Sequence, residues 1–295
     1  MFDLVDKLKP DLIHTTGIRP DIYVAKFLKD YTHCITVRNY AYEDYTAKFG
    51  KIKGNILAFQ HIRTIKKSKV SVSCSYAISR KLSDRHRINS YVVQNGIDDT
   101  SFSQCDNKTK YQLRDKLGLP EDKKIFVFIG SLIELKNPLF LIKSFKEASI
   151  SENATLVILG DGPLHEKCAD ESDKSILVKG YVTNIIEYLR AADIFVSASK
   201  SEGLPNVVLE AMATGLPVIL SDIDPHKEII EKNIEAGQLF SIESTYNLAD
   251  VLKQFVESDL SSRSRAARQV VEDYFTSQIM SQHYQNLYKK LLGSK

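Results

Sequence analysis

No apolar run in the chain approaches the roughly 18 residues needed to cross a bilayer, so hydropathy gives no membrane-spanning helix. The opening, MFDLVDKLKPDLIH, lacks the charged-then-apolar layout of a secretory signal. Cysteine is sparse. Cys34, Cys74, Cys105 and Cys168 form no C-x-x-C pair, which excludes the usual zinc and redox motifs. Dispersed cysteines without a signal fit a reducing, cytoplasmic setting rather than a disulfide scaffold. No proline falls between Pro20 and Pro120, and neither an internal repeat nor a low-complexity segment is found. What remains is globular: 295 residues, 43% hydrophobic and 26% charged. At about 150 residues per domain, that length predicts one large or two ordinary domains.

The formal net charge of +3 hides an asymmetry. Residues 1–105 hold 17 Lys and Arg against 10 Asp and Glu, whereas residues 106–295 hold 23 against 27. A basic front and an acidic back predict two units with different partners. The excess gathers in 61–87, where Arg63, Lys66, Lys67, Lys69, Arg80, Lys81, Arg85 and Arg87 face only Asp84. Two readings of this cluster stay open, a solvated face and an attachment to an anionic membrane surface or lipid diphosphate. Nucleic acid is not the expected partner, because no aromatic platform is interleaved with the charges.

The back half alternates short apolar runs with helical patterns. Residues 124–130, 154–160, 175–178, 193–197 and 217–220 read as strands apolar on both faces, and 237–240 as a sixth. Such strands belong in a parallel sheet covered on both sides by helices, here 138–149, 184–192 and 205–214. The front half offers strands at 11–14, 34–37, 70–74 and 91–93, followed by an Asn95-Gly96 turn. Residues 98–123 are polar and predict a bridge, with a short helix at 111–117. Helical patterns at 261–274 and 277–292 close the chain. The repeated units predict a doubly wound α/β fold. The first element, 2–9, reads as a helix rather than the strand and phosphate-binding turn that usually open such a domain. The front domain is therefore expected to be incomplete, or unusually small.

The most informative stretch is SKSEGLPNVVLEAMATGLPVIL, residues 199–220. Glu202 ends a loop just past a strand, and Gly203 is expected to let a ligand approach the backbone. Pro205 is placed as the first helical residue. The amides around Gly203–Asn206 then form a helix N-terminus suited to a diphosphate. Glu210 lies about one and a half turns further on, among apolar neighbours. Burial there demands a partner, from the protein or from a ligand. Taken alone, two glutamates eight residues apart also fit a helix-dipole acid and a solvated surface residue.

This segment resembles the E-x7-E signature of the retaining GT-B glycosyltransferases of family 4. The resemblance continues along the chain. Val92-Val93-Gln94-Asn95-Gly96-Ile97-Asp98 is similar to V-x-P-N-G-V-D, with Gln94 in place of Pro. Phe128–Leu132 with Lys136 is similar to V-G-R-L-x-x-x-K-G, with Ser131 in place of Arg. Leu159–Pro163, Gly180–Val182, Ala192-Asp193 and Asp11–His14 resemble further family motifs.

The resemblance implies two facing Rossmann-like domains, with 1–103 a partial acceptor-side domain and 104–274 a nucleotide-sugar domain. Residues 275–295 would form a helix returning to the first. It implies that Glu202 meets the transferred sugar as the catalytic carboxylate and that Glu210 holds the ribose. Lys136, Gly130, Ser131 and the Gly203 and Leu204 amides would hold the diphosphate, and Val182 the base. His14 and Arg38 fall on the acceptor or sugar side. No metal and no cofactor are implied, since fixed amides and Lys136 would stabilise the leaving diphosphate. The implied partners are a nucleotide sugar and a glycan or polyprenyl-diphosphate-linked acceptor, used in bacterial surface polysaccharide synthesis on the inner face of the membrane. The competing readings are a non-catalytic nucleotide-sugar-binding protein, or remnant of such an enzyme, and a nucleotide-sugar epimerase.

Overall fold

The structure is a computed structural model, and it describes residues 2–293. In chain order the first elements are α1 (Phe2–Leu8), β1 (Leu12–Thr16), α2 (Ile18–Phe27), β2 (Thr32–Val37), α3 (Ala41–Phe49), α4 (Lys51–Lys67), β3 (Val70–Ser73), α5 (Tyr76–His86) and β4 (Tyr91–Val92). Then come α6 (Asn107–Leu117), β5 (Lys124–Ile129), α7 (Pro138–Ala148), β6 (Ala154–Leu159), α8 (His165–Asp170), β7 (Ile176–Gly180), α9 (Ile185–Ala191) and β8 (Ile194–Ser197). The last are α10 (Asn206–Ala213), β9 (Val218–Ser221), α11 (Asp224–Ile230), β10 (Gly237–Phe240), α12 (Thr245–Glu257), α13 (Ser261–Tyr274) and α14 (Ser277–Leu292).

The chain divides into two compact units. Unit 1 takes residues up to Asn95, the short return Glu202–Leu204, and residues from Gln278 on. Unit 2 takes Gly96–Ser201 and Pro205–Ser277. The division falls at Asn95/Gly96, where the sequence placed it at 103/104. Two arginines account for the difference. Arg190 donates to the Ser101 and Ser103 carbonyls, and Arg268 to those of Asp99 and Phe102. Ile97 also pairs with Thr276, its amide donating to the Phe275 carbonyl at 2.9 Å. The bridge is thereby fastened to unit 2.

In unit 1 the sheet order is β1-β2-β3-β4, all parallel. One core cluster joins Cys34, Val70, Val72 and Val93 of the sheet region to Leu287, with Met280, Tyr284 and Leu291 packed against it. Helix α14 therefore closes one side of the sheet. Helix α4 buries Ala58, Ile62 and Ile65, one helical stripe.

In unit 2 the order is β10-β9-β8-β5-β6-β7, again all parallel. Strands β5, β6, β8 and β9 are almost wholly buried, as runs apolar on both faces require. The core joins Phe126, Phe128, Leu156 and Ile158 to Leu141 and Phe145 of α7 and to Leu248, Leu252 and Phe255 of α12. The chain winds from β5 outward to β7, then returns to the other side of β5 at β8. Strands β5 and β8 therefore flank a topological switch point, and ligands of open α/β sheets bind outside the carboxyl ends of such strands. None of the four cysteines is in a disulfide.

Candidate active site

The loops leaving β5 and β8 meet at that switch point. The β5 loop carries Gly130, Ser131 and Lys136, and the β8 loop runs through Ser199 and Lys200 toward Glu202. They are joined by the Lys200 amide, which donates to the Leu135 carbonyl at 2.8 Å. Lys136 closes the β5 loop just before α7, whose first residue is Pro138 after a left-handed Asn137 (φ 57°). The Lys136 stem runs beside Gly130, since a Cβ built there would lie 3.9 Å from its Cγ.

The Gly160-Asp161-Gly162 turn after β6 packs onto the β5 loop. The Leu132 amide donates to the Asp161 carbonyl at 2.9 Å, and the Gly130 amide to the Leu159 carbonyl at 3.0 Å. Gly160 has φ +141°, and a Cβ on it would sit 1.9 Å from the Gly130 carbonyl oxygen. Only glycine permits this approach. The turn thus fixes the course of the Gly130–Leu132 backbone.

Helix α10 carries Glu210. Pro205 is its N-cap (φ −76°, ψ 110°), not its first helical residue, so the helix starts one position later than the sequence predicts. The extended ψ of Pro205 aims the chain into the helix without joining it, and no side chain caps the helix. Glu210 is half-buried, and burial pushes its carboxyl above the ordinary glutamate range. Its carboxylate makes no hydrogen bond or ion pair among the described residues.

Glu202–Leu204 belong to unit 1. The space a Gly203 side chain would take is already filled by the protein: a Cβ there would lie 1.7 Å from the Arg38 carbonyl oxygen. The glycine is required by this backbone packing, where the sequence assigned the room to a ligand. Asn95 Nδ2 donates to the Leu204 carbonyl at 2.9 Å, a second tie that the sequence reading took only as a turn. Arg38 has an exposed side chain just past β2. His14 lies on β1 and is engaged at both ring nitrogens, by Tyr288 (2.5 Å) and Thr36 (2.6 Å). Thr36 in turn bonds Tyr284 at 2.9 Å. Burial, with help from the Arg38 charge and against the attraction of Asp21, holds His14 below the usual histidine range. Its ring is thus a link between β1 and α14. Val182 is half-buried in the loop after β7.

The structure thus gathers Gly130, Ser131 and Lys136 with the Gly160 turn in unit 2. Gly203, Leu204 and Arg38 are gathered in unit 1. The ties made by Lys200, Asn95 and Arg268 were not legible in the sequence, because each ends on a main-chain carbonyl of a residue far away in order. Among the described residues no cluster of His, Cys, Asp and Glu is arranged to hold a metal ion, and no helix is long and apolar enough to cross a membrane.

A teichuronic acid biosynthesis glycosyltransferase of Bacillus subtilis is 29% identical over 262 residues, 86% of this chain and 65% of its own length. An Escherichia coli galactosyltransferase, named for UDP-Gal and GlcNAc-diphosphoundecaprenol, is 34% identical over 49% of this chain and 39% of its own. The chain thus spans less than two thirds of the length of these relatives. Sucrose-phosphate synthase from Thermosynechococcus elongatus superposes with a TM-score of 0.85 at 18% identity, covering 100% of this chain and 77% of its own. With its two parallel α/β sheets, the chain has the GT-B fold. Residues 109–272, more than half of the chain and nearly all of unit 2, match the profile of the Glycosyl transferases group 1, and the chain belongs to that family.

Proposed function

We propose that this protein is a retaining glycosyltransferase of the E-x7-E type that takes a sugar from a nucleotide-diphosphate donor. The observation that carries the reading is Glu210. A half-buried carboxylate without a protein partner is costly unless a ligand completes it. It stands eight residues after Glu202, on the helix that begins beyond the switch point. In this reading Glu210 accepts hydrogen bonds from the ribose hydroxyls. In unit 2, Lys136 and the amides of Gly130 and Ser131 hold the diphosphate, and the Val182 backbone meets the base. As the anomeric bond lengthens, negative charge grows on the leaving diphosphate, and fixed amides with a nearby ammonium stabilise it without a divalent ion. The anomeric carbon becomes oxocarbenium-like, and Glu202 lies on the side of the transferred sugar.

The relatives are named for surface-polymer and diphosphoundecaprenol substrates, which supports a glycan or lipid-linked acceptor here. A membrane-surface location is supported by α4. It exposes Ile52 (83%), Ile56 (54%) and Phe59 (58%) along one stripe that continues into Arg63, Lys66 and Lys67. An apolar stripe flanked by cations suits the boundary of an anionic bilayer. The test is incubation with radiolabelled UDP-, GDP- and TDP-sugars and an undecaprenyl-diphosphate-linked acceptor, with the product anomer read by NMR. An α-donor giving a β-product would remove the retaining assignment. Nucleotide binding without any turnover would favour the non-catalytic alternative.

A further inference from the structure

Unit 1 holds a cavity of about 890 Å³ that the family motifs do not touch. It lies between the end of α2, the end of α4 and the starts of β2 and β3. Lys26, Lys29, Arg63, Lys67 and Lys69 line it together with His33, and no acidic side chain does. None of the five cations is in an ion pair among the described residues. Two cations elsewhere in the basic region do have partners. Lys81 bonds Glu43 at 2.7 Å, and Arg85 stacks on the Tyr40 ring at 5.2 Å. Lys26 and Lys67 stand in the last turns of their helices, where cations offset the carbonyl ends. That accounts for two of the five and leaves Lys29, Arg63 and Lys69 without a structural reason to converge. Like charges around one concavity repel, and a bound polyanion removes the repulsion.

The cavity wall is also built firmly. His33 is 8% exposed, and its Nε2 meets Thr15 Oγ1 at 2.7 Å. Thr15 donates its only hydroxyl hydrogen to Asp21 Oδ1, so His33 Nε2 must carry the hydrogen of the other bond. Asp21, fully buried, also receives His61 Nε2 at 2.7 Å, and His61 Nδ1 meets the Tyr45 hydroxyl at 2.7 Å. This chain of bonds ties α2, β1, β2, α3 and α4 together behind the cavity. The cavity opens at the ends where β2 and β3 begin. Arg38 follows the opposite end of β2, about 20 Å away at 3.3 Å per residue.

We propose that this cavity binds a phosphate-bearing group of at least two negative charges, such as a diphosphate, at a site separate from the nucleotide site in unit 2. A soluble phosphorylated compound and the phosphate of a lipid headgroup offer the same chemistry. The test is calorimetric titration of the full chain with inorganic pyrophosphate. The three variants are Arg63→Ala/Lys67→Ala/Lys69→Ala, Lys67→Arg/Lys69→Arg and Lys136→Ala. All three cavity side chains are exposed, so the fold tolerates their loss. Pyrophosphate affinity should fall at least about tenfold in the triple variant, given the strength of charge-assisted bonds. It should persist in the arginine variant, and one of two sites should persist in Lys136→Ala. Competition by phosphatidylglycerol vesicles, absent with phosphatidylcholine and lost in the triple variant, identifies the lipid headgroup. Binding without such competition identifies the soluble ligand. Equal pyrophosphate binding by the triple variant and the parent, or complete loss in Lys136→Ala, would overturn the proposal. The first of these results would leave the nucleotide site of unit 2 standing.

Discussion

Glu210→Gln separates ligand binding from folding. The substitution keeps the shape of the side chain and removes its charge. In the unliganded protein the carboxylate is half-buried and makes no hydrogen bond or ion pair among the described residues, so the fold should lose nothing. The bound nucleotide should lose a charge-assisted hydrogen bond to the ribose, worth about 1.5–3 kcal/mol. That is about 10- to 150-fold in Kd, at 1.4 kcal/mol per factor of ten. The pH dependence carries an independent sign. Burial raises the folded-state pKa of Glu210 above its ordinary value of 4.5. A group raised in this way contributes stability below the ordinary value and loses it as pH rises through the raised one. The amide does not titrate. The variant should therefore gain in stability on the parent as pH rises from 4.5. Isothermal titration with UDP, GDP and TDP, and urea unfolding at several pH values, measure the two effects. Unchanged affinity for every nucleotide in a folded variant would take Glu210 out of the site. A variant destabilised equally at all pH values would show that the carboxylate serves the fold.

Asp193→Asn should destabilise unit 2 by about 3–5 kcal/mol in urea, because it leaves Arg114, 4% exposed, without its counter-charge. Burial pushes the Asp193 carboxyl up, but Lys110, Arg114 and the Ile125 amide outweigh it and hold it below the usual range. The stability it contributes should thus be lost as pH falls through that lowered value, in the parent and not in the variant. Gly160→Ala should cost about 1–3 kcal/mol for its backbone conformation alone, and should weaken nucleotide binding as Gly130 is displaced; thermal unfolding and calorimetry report each. Turnover should survive EDTA, and a loss restored by magnesium or manganese would contradict the metal-free reading. Ile52→Asp/Phe59→Asp should abolish co-sedimentation with phosphatidylglycerol vesicles without changing the unfolding midpoint, since both residues are exposed; equal sedimentation by the variant would refute the membrane role of α4.

The core of unit 2 was legible because its strands are buried on both faces and each reads as an unbroken apolar run. Lys124–Ile129 and Ala154–Leu159 need no partner to be recognised.

 In both β5 and β6 the pattern alone sets the sheet type. Unit 1 was harder to read, and α4 shows why. Its apolar residues fall on two stripes, with Ala58, Ile62 and Ile65 buried and Ile52, Ile56 and Phe59 exposed. The two together blur the single-faced period that marks an amphipathic helix. The E-x7-E segment was legible as a motif, but the part played by Gly203 was not, because the Arg38 carbonyl that fills its space is 165 residues away in the chain. The Tyr45–His61–Asp21–Thr15–His33 chain of bonds was hidden for the same reason: His61 and Asp21 are 40 residues apart.

Two carboxylates of unit 2 show how function can be separated from stability in such a structure. Asp193 and Glu210 both lie against apolar surroundings, and both pay desolvation. Asp193 receives Lys110 at 2.6 Å, Arg114 at 2.6 Å and the Ile125 amide at 2.7 Å. Its oxygens are satisfied by the protein, and its carboxyl is held low. Glu210 receives nothing among the described residues, and its carboxyl is held high. Were both present only for the fold, a neutral residue at 210 would serve better, since partial burial of a charge without a protein partner costs desolvation. The proposed reading supplies the missing hydrogen bonds at Glu210 from outside the chain. On the proposed reading those donors are the two adjacent ribose hydroxyls of the nucleotide, each able to give one hydrogen bond to the carboxylate.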